Sequence, residues 1–125
     1  MADTKETANR QRLIGWLVSY ADENLGKSYE LRAGRTLVSS HAENGNACIQ
    51  VAERDISAPH SALNASTSHK ILVQDIFTEK GTYLRRAGSG KEERLQGAHE
   101  LQHGDWIRFG DKSRFQVCLI DNPSA

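Results

Sequence analysis

The stretches DWIRF, residues 105–109, and RFQVCLI, residues 114–120, decide the fold class of this chain. Both are short and rich in β-branched and aromatic residues, and apolar side chains recur at every second position. Glycine and charged residues lie between them, at 110–113, which is typical of a turn. The two stretches therefore predict a pair of β-strands.

Segments of the same kind run through the rest of the sequence. No window shows the apolar periodicity of a helix of ten residues or more. Many short strands at close spacing predict an all-β fold, either an antiparallel β-sandwich or a barrel. The other predicted strands are 14–20, 29–32, 35–38, 48–51, 61–64, 70–75, 82–85 and 93–96.

The 125 residues fit one domain with a modest core. Residues 1–12 are polar and charged without periodicity, so we expect a flexible N-terminal tail there. The domain is expected at 13–121, followed by a short C-terminal tail at 122–125. Strand alternation selects ten positions for the core: Trp16, Val18, Ile49, Leu63, Ile71, Val73, Ile107, Phe109, Phe115 and Val117.

Charge and apolar content limit the kinds of partner. The 16 Lys and Arg residues balance the 16 Asp and Glu residues, so no overall basic field favours nucleic acid. The longest apolar runs, such as Ile71-Leu72-Val73, are far shorter than the roughly 20 residues of a membrane span. The first residues form no apolar signal segment. We therefore expect a cytoplasmic protein that binds neither nucleic acid nor a membrane.

The segment His99-Glu100-Leu101-Gln102-His103 matches H-E-x-x-H, the signature of zinc hydrolases. That signature works on a helix, which places both histidines on one face beside the metal. Gly97 and Gly104 leave barely two helical turns, and no later His or Glu offers a third ligand. We expect a polar loop anchored by Leu101, with a metal hydrolase using His99 and His103 as a minor alternative.

Other signs of catalysis are weak. No Ser/His/Asp or Cys/His arrangement has local support in the sequence. We therefore expect no catalytic residues, no metal, no cofactor and no enzyme activity.

Four short signals occur in a fixed order along the chain. They are Gly34-Arg35 at the start of a strand, DISAPH at 55–60, DIFTEKGTYL at 75–84 and GDWIRFG at 104–110. This succession resembles the forkhead-associated (FHA) domain, which has a Gly-Arg, an S-x-x-H, a D-x-x-S/T-x-N-G-T-like segment and a terminal G-D-x-I-x-F-G. Each motif alone is weak, but the resemblance covers about residues 14–120.

The resemblance implies a sandwich of about eleven strands with its binding loops at one end. It also implies a module that recognises phosphothreonine in a partner protein, in Ser/Thr-kinase signalling. Arg35 would face the phosphate, since a guanidinium meets two of its oxygens in fixed geometry. By position, the phosphopeptide-binding residues would be Arg35, Ser57, Thr78, Glu79 and Lys80, and the loop-supporting residues Gly34, His60 and Gly81.

The chain departs from the family pattern at three positions around the expected site. Ala58 stands where a polar or basic residue is common, Glu79 where a small hydroxyl residue is common, and Lys80 where asparagine is usual. A carboxylate beside a phosphate is repulsive, by about 1 kcal/mol at close range in water. The alternative function is therefore a phosphate-independent scaffold or adaptor of the same fold, which docks a partner protein through a sheet face or the loop end.

Overall fold

A computed structural model describes residues 11–20, 25–43, 45 and 47–123 of the chain. The predicted all-β sandwich of about eleven strands is confirmed. None of the described residues belongs to a helix that could cross a membrane. The strands are β1 (Leu13–Ser19), β2 (Lys27–Arg32), β3 (Gly34–Ser39), β4 (Ala47–Gln50), β5 (Ser61–Ala65), β6 (Ile71–Asp75), β7 (Thr82–Arg85), β8 (Glu92–Arg94), β9 (Ala98–Leu101), β10 (Trp106–Phe109) and β11 (Ser113–Leu119).

The strands form two sheets that contribute to one shared core. The six-stranded sheet has the order β2-β1-β11-β10-β7-β8, and the five-stranded sheet has the order β4-β3-β5-β6-β9. Neighbouring strands pair antiparallel, apart from β3 and β4, which are parallel. Because β3 and β5 are antiparallel, the end of β3 lies beside the start of β5. The pairing of β3 with β5 therefore determines which loops lie next to each other.

The prediction of a polar loop at 99–103 is wrong in part, because strand β9 covers the first three of these residues. β9 pairs antiparallel with β6, and Leu101 is buried as expected. The ring of His99 lies 3.0 Å from the Gln96 carbonyl oxygen, whereas His103 accepts a hydrogen bond from the Leu119 amide at 3.0 Å. Extended backbone therefore separates the two histidines, which the zinc signature needs on one helix face.

Eight of the ten predicted core residues are buried: Ile49, Leu63, Ile71, Val73, Ile107, Phe109, Phe115 and Val117. The prediction is wrong for Trp16 and Val18, which are only half-buried, while Ile14 and Leu17 are buried instead. Strand β1 is apolar on both faces and has a register shift between Leu13 and Gly15. Its sequence alternation therefore could not identify the inward face.

The first described residues, Gln11 and Arg12, are hydrogen-bonded to the domain just before its predicted start at residue 13. The Arg32 guanidinium donates to the Gln11 carbonyl oxygen at 2.8 Å, and the Ala33 amide donates to the Arg12 carbonyl oxygen at 2.8 Å. The remainder of the expected N-terminal tail, residues 1–10, lies outside the described residues, as do residues 124–125.

Phe109 is fully buried, with edge-to-face contacts to Phe115 and His60 at ring-centroid distances of 5.6 and 6.0 Å. Phe109→Ala should lower the free energy of unfolding by about 3–5 kcal/mol, because it removes apolar contacts and leaves a cavity. Phe77→Ala, the same change at a 96% exposed side chain, should alter it by less than about 0.5 kcal/mol. Urea unfolding followed by circular dichroism compares the two variants. Equal losses would contradict the placement of Phe109 in the core.

Candidate functional site

Four loops meet at one end of the sandwich, which we call the loop end. The Ser40 amide donates to the Ser57 carbonyl oxygen at 3.1 Å, which joins the β3–β4 loop to the β4–β5 loop. The Asp111 amide donates to the Asp55 carboxylate at 2.5 Å, which adds the β10–β11 loop. The loops are the described part of 40–46, then 51–60, 76–81 and 110–112.

His60 is completely buried and ties two of these loops together. Its Nδ1 accepts a hydrogen bond from the Ser57 amide at 3.1 Å, and its Nε2 lies 2.8 Å from the Gly81 carbonyl oxygen. An amide only donates and a carbonyl only accepts, so the ring is neutral with its proton on Nε2. His60 therefore holds the Ser57 loop against the Gly81 turn.

Asp75 organises the β6–β7 loop. Its carboxylate accepts hydrogen bonds from the Thr78 hydroxyl at 2.6 Å, the Thr82 hydroxyl at 2.7 Å and the Thr78 amide at 2.8 Å. The Thr78 hydroxyl in turn accepts from the Gly81 amide at 3.0 Å. Thr78 is buried and its hydroxyl is occupied within the loop. The Thr78 side chain thus supports the loop from inside, whereas the resemblance implies a contact with the peptide.

Two residues of this loop have positive φ, Phe77 at 49° and Gly81 at 81°. A Cβ added at Gly81 would lie 2.7 Å from Nε of Arg94, which approaches from β8. Arg94 donates to the carbonyl oxygens of Thr78 and Glu79, both at 3.1 Å. Gly81 therefore permits both the turn and the close approach of the arginine that holds it.

The β10–β11 loop is held in a similar way. Arg108 donates to the carbonyl oxygens of Gly110 and Asp111. The Glu92 carboxylate fixes the Arg108 guanidinium at 2.6 Å, and this hydrogen bond lowers the pKa of Glu92 and raises the pKa of Arg108. Lys80 Nζ lies 3.5 Å from Asp111 Oδ2, an ion pair between two loops.

Arg35 does not belong to the loop end, so the structure does not bring it beside Ser57 as the resemblance implies. Gly34 and Arg35 begin β3, and Arg35 pairs with Asn64 near the end of β5. Ser40, five residues further on, is the residue that lies beside Ser57. At about 3.3 Å per residue, β3 separates Arg35 from Ser57 by roughly 15 Å. Gly34 lies one residue further along β3 from Ser40, so it does not belong to these loops.

Three of the predicted contact residues, Ser57, Glu79 and Lys80, are exposed at the loop end. The Ser57 hydroxyl makes no hydrogen bond with any described residue, whereas the Lys80 ammonium is paired with Asp111. The charge of the loops is negative overall. Their cationic side chains are Arg54, Lys80 and Lys112, and their carboxylates are Glu43, Glu53, Asp55, Glu79 and Asp111.

Sequence reasoning missed several of the residues that support the loops. Asp75 had a local signal, since an Asp three residues before a Thr favours a side-chain-capped turn. Arg94 and Asp55 had none, because their partners lie 15 and 56 residues away along the chain. The position of Arg35 could have been predicted from the strands. If β3 and β5 pair antiparallel, the end of β3, not its start, lies beside the loop that carries Ser57.

The sequence matches no protein-family model and no curated protein. It is similar in structure to Mycobacterium tuberculosis EmbR in complex with a low-affinity phosphopeptide, with a TM-score of 0.68 and 22% identity. The alignment covers 91% of this chain and 26% of that chain, so this chain spans about a quarter of the EmbR chain.

Two further structures are matched over nearly their whole length. The FHA domain of an Arabidopsis thaliana hypothetical protein has a TM-score of 0.68 and 22% identity, over 91% of this chain and 92% of that chain. The FHA domain of human APLF, in complex with an XRCC1 bisphospho peptide, has a TM-score of 0.68 and 15% identity, over 86% and 99%.

The protein is thus a β-sandwich domain whose exposed polar loops lie at one end and are joined to one another by hydrogen bonds. Its strand order and its structural neighbours define the architecture further: the chain is an FHA-fold domain. At identities of 15–22%, the likeness establishes the fold.

His60→Ala should loosen the two loops that the imidazole joins. The change leaves the Ser57 amide and the Gly81 carbonyl without their buried partner, so the free energy of unfolding should fall by about 2 kcal/mol or more. Hydrogen exchange at the Ser57 amide, measured by NMR, should become faster. His41→Ala is the control, because His41 is exposed and its ring, among the described residues, makes its hydrogen bond with the Ser40 hydroxyl, at 3.0 Å. An unchanged exchange rate in His60→Ala would contradict the bracing role.

Glu92 should make stability depend on pH. Its folded pKa is lowered by Arg108, so its contribution is present above the unfolded pKa of about 4.3 and is lost as the pH falls through the folded value. Wild type should therefore lose more stability between about pH 7 and about pH 3 than Glu92→Gln, in urea unfolding. Glu93→Gln, a change at the exposed neighbour, should behave like wild type. Identical pH profiles for wild type and Glu92→Gln would argue against a stabilising hydrogen bond between Glu92 and Arg108.

Proposed function

We propose that this chain is a protein-recognition module, not an enzyme, and that it docks a partner protein without needing a phosphate on that partner. The observation that carries the proposal is the register of β3, which separates Arg35 from Ser57. A guanidinium beside the hydroxyl would be a strong phosphate contact, since a planar fork binds two phosphate oxygens at once. Ser40 occupies the corresponding place beside Ser57 and carries no charge.

Electrostatics at the loop end support the same conclusion. A phosphothreonine carries about −1.5 to −2 charges. The loops there hold three cationic side chains against five carboxylates, so their summed charge repels an anion. Lys80 is already paired with Asp111 at 3.5 Å and follows Glu79 in the chain. Binding a dianion would have to overcome this repulsion.

Phosphothreonine recognition in Ser/Thr-kinase signalling is the second candidate, and one observation favours it. The Ser57 hydroxyl and the Lys80 ammonium are both exposed at the same end, on loops that the core holds in place. EmbR and APLF, which have this fold, have been solved with phosphopeptides. On this candidate, Glu79→Thr should tighten phosphopeptide binding by about 1 kcal/mol. Lys80→Ala should weaken it, and less so as salt rises.

Titration with two degenerate peptide libraries, one with phosphothreonine and one with unmodified threonine, separates the two candidates. We expect the two libraries to bind with affinities within about 2-fold of each other, since the loop end offers no net attraction for phosphate. Ser57→Ala and Glu79→Thr should leave the phosphopeptide affinity unchanged. A preference for phosphothreonine of about 10-fold or more that Ser57→Ala removes would overturn the proposal in favour of the second candidate.

A further inference from the structure

A groove runs over the outer face of the five-stranded sheet, away from the core. Arg35, Asn64 and Leu72 are cross-strand neighbours on β3, β5 and β6, and all three are exposed. A depression of about 420 Å³ lies between Arg35 and Leu72, and a second of about 290 Å³ continues toward Phe77. We call this surface the sheet groove; it is lined by Arg35, Ala62, Asn64, Leu72, Gln74 and Phe77.

The sheet groove concentrates exposed apolar surface. Four large hydrophobic side chains are exposed among the described residues, and two of them, Leu72 at 43% and Phe77 at 96%, line this groove. A bulky residue with φ near 49° is uncommon, because that region is sterically unfavourable for side chains. The hydrogen bonds of Asp75 hold the loop in this conformation. Strained residues held in this way cluster at binding sites, and here the strain presents an aromatic ring to solvent.

The charge of the groove indicates what it can bind. Arg35 is exposed and makes no hydrogen bond or ion pair with any described residue, and Lys70 lines the same depression. A guanidinium fork matches a carboxylate in geometry as well as in charge. Glu100 and Asp75 also border the groove, so the surface as a whole is not basic enough to favour a nucleic acid.

The dimensions fit a short extended segment. From Leu72 to Phe77 the chain runs five residues, which span at most about 16 Å. An apolar side chain at one end of such a segment reaches Phe77, while a carboxylate further along reaches Arg35. Aromatic residues and arginine are the residue types that most often dominate binding at interfaces.

We propose that the sheet groove docks an extended, unphosphorylated segment of a partner protein, with a carboxylate on Arg35 and an apolar side chain over Phe77. The inference rests on the proposed function and names the surface that performs it.

Phe77→Gly is the decisive variant, because it separates binding from folding. Glycine adopts positive φ without strain, so the variant should be at least as stable as wild type. It removes the ring, so it should bind peptide at least about 10-fold more weakly. Arg35→Glu should weaken binding as strongly, by reversing the charge that meets the carboxylate. The matched controls are Leu25→Ala, an exposed apolar side chain elsewhere, and Lys91→Glu, an equal charge reversal on an exposed side chain outside the groove.

The probe is an unphosphorylated random peptide library displayed on phage, selected on the full chain and followed by fluorescence polarisation of synthetic peptides. We expect the selected peptides to share an acidic and an apolar residue, and to lose affinity in Phe77→Gly and Arg35→Glu but not in the two controls. Peptides that bind, but that lose affinity only in Ser57→Ala or Lys80→Ala, would overturn the groove while leaving phosphate-independent docking intact.

Two other outcomes are possible. One would overturn the proposed function as well as the groove, and the other would change which molecule the groove binds. If only a phosphothreonine library binds, the proposed function itself fails and the groove proposal fails with it. If analytical ultracentrifugation shows a wild-type dimer that Phe77→Gly dissociates, the occupant is a second copy of the chain. That result would overturn the assignment to a partner segment.

Discussion

The imidazole of His60 is the contact on which the loop end depends. It lies at the start of β5 without solvent exposure, packs its ring against Phe109, and bonds Ser57 on one side and Gly81 on the other. Both ring nitrogens are used, so neither loop can shift without leaving a buried polar group unpaired. This buried side chain therefore joins the core to both loops. The exposed residues around Ser57 are presented from a fixed base.

Other contacts hold the neighbouring loops in place. Asp75 fixes the β6–β7 loop from within, and Arg94 holds its outer carbonyl oxygens from β8. Asp55 and Lys80 connect the β10–β11 loop to the other two. Most of the polar residues at the loop end are thus engaged in holding the loops together. Few charged groups are left to attract a ligand, and those present are mostly carboxylates.

The register of β3 places Arg35 and Ser57 on two different surfaces. The strand is six residues long and begins with Gly34-Arg35, so its length carries Arg35 away from the loops and onto the outer sheet face. There Arg35 lines one depression together with exposed Leu72 and a second one together with Phe77. The β6–β7 loop contributes to both places, with Lys80 at the loop end and Phe77 toward the sheet. One short loop therefore links the two surfaces, and its conformation is set by Asp75 and Gly81.

The sequence by itself determined the strands, most of the core and the order of the motifs. Period-two alternation reports burial directly when one face is polar, as in β10 and β11, and it failed in β1, where both faces are apolar. The family resemblance selected His60, Gly81 and Ser57, because these residues sit in short sequence motifs. Only the tertiary structure decided which of the chosen residues meet. Arg35 and Ser57 are 22 positions apart, and strand pairing, which is a long-range property, places them at opposite ends of β3. The roles of Arg94 and Asp55 were likewise settled by contacts between distant segments, which no local pattern in a single sequence encodes.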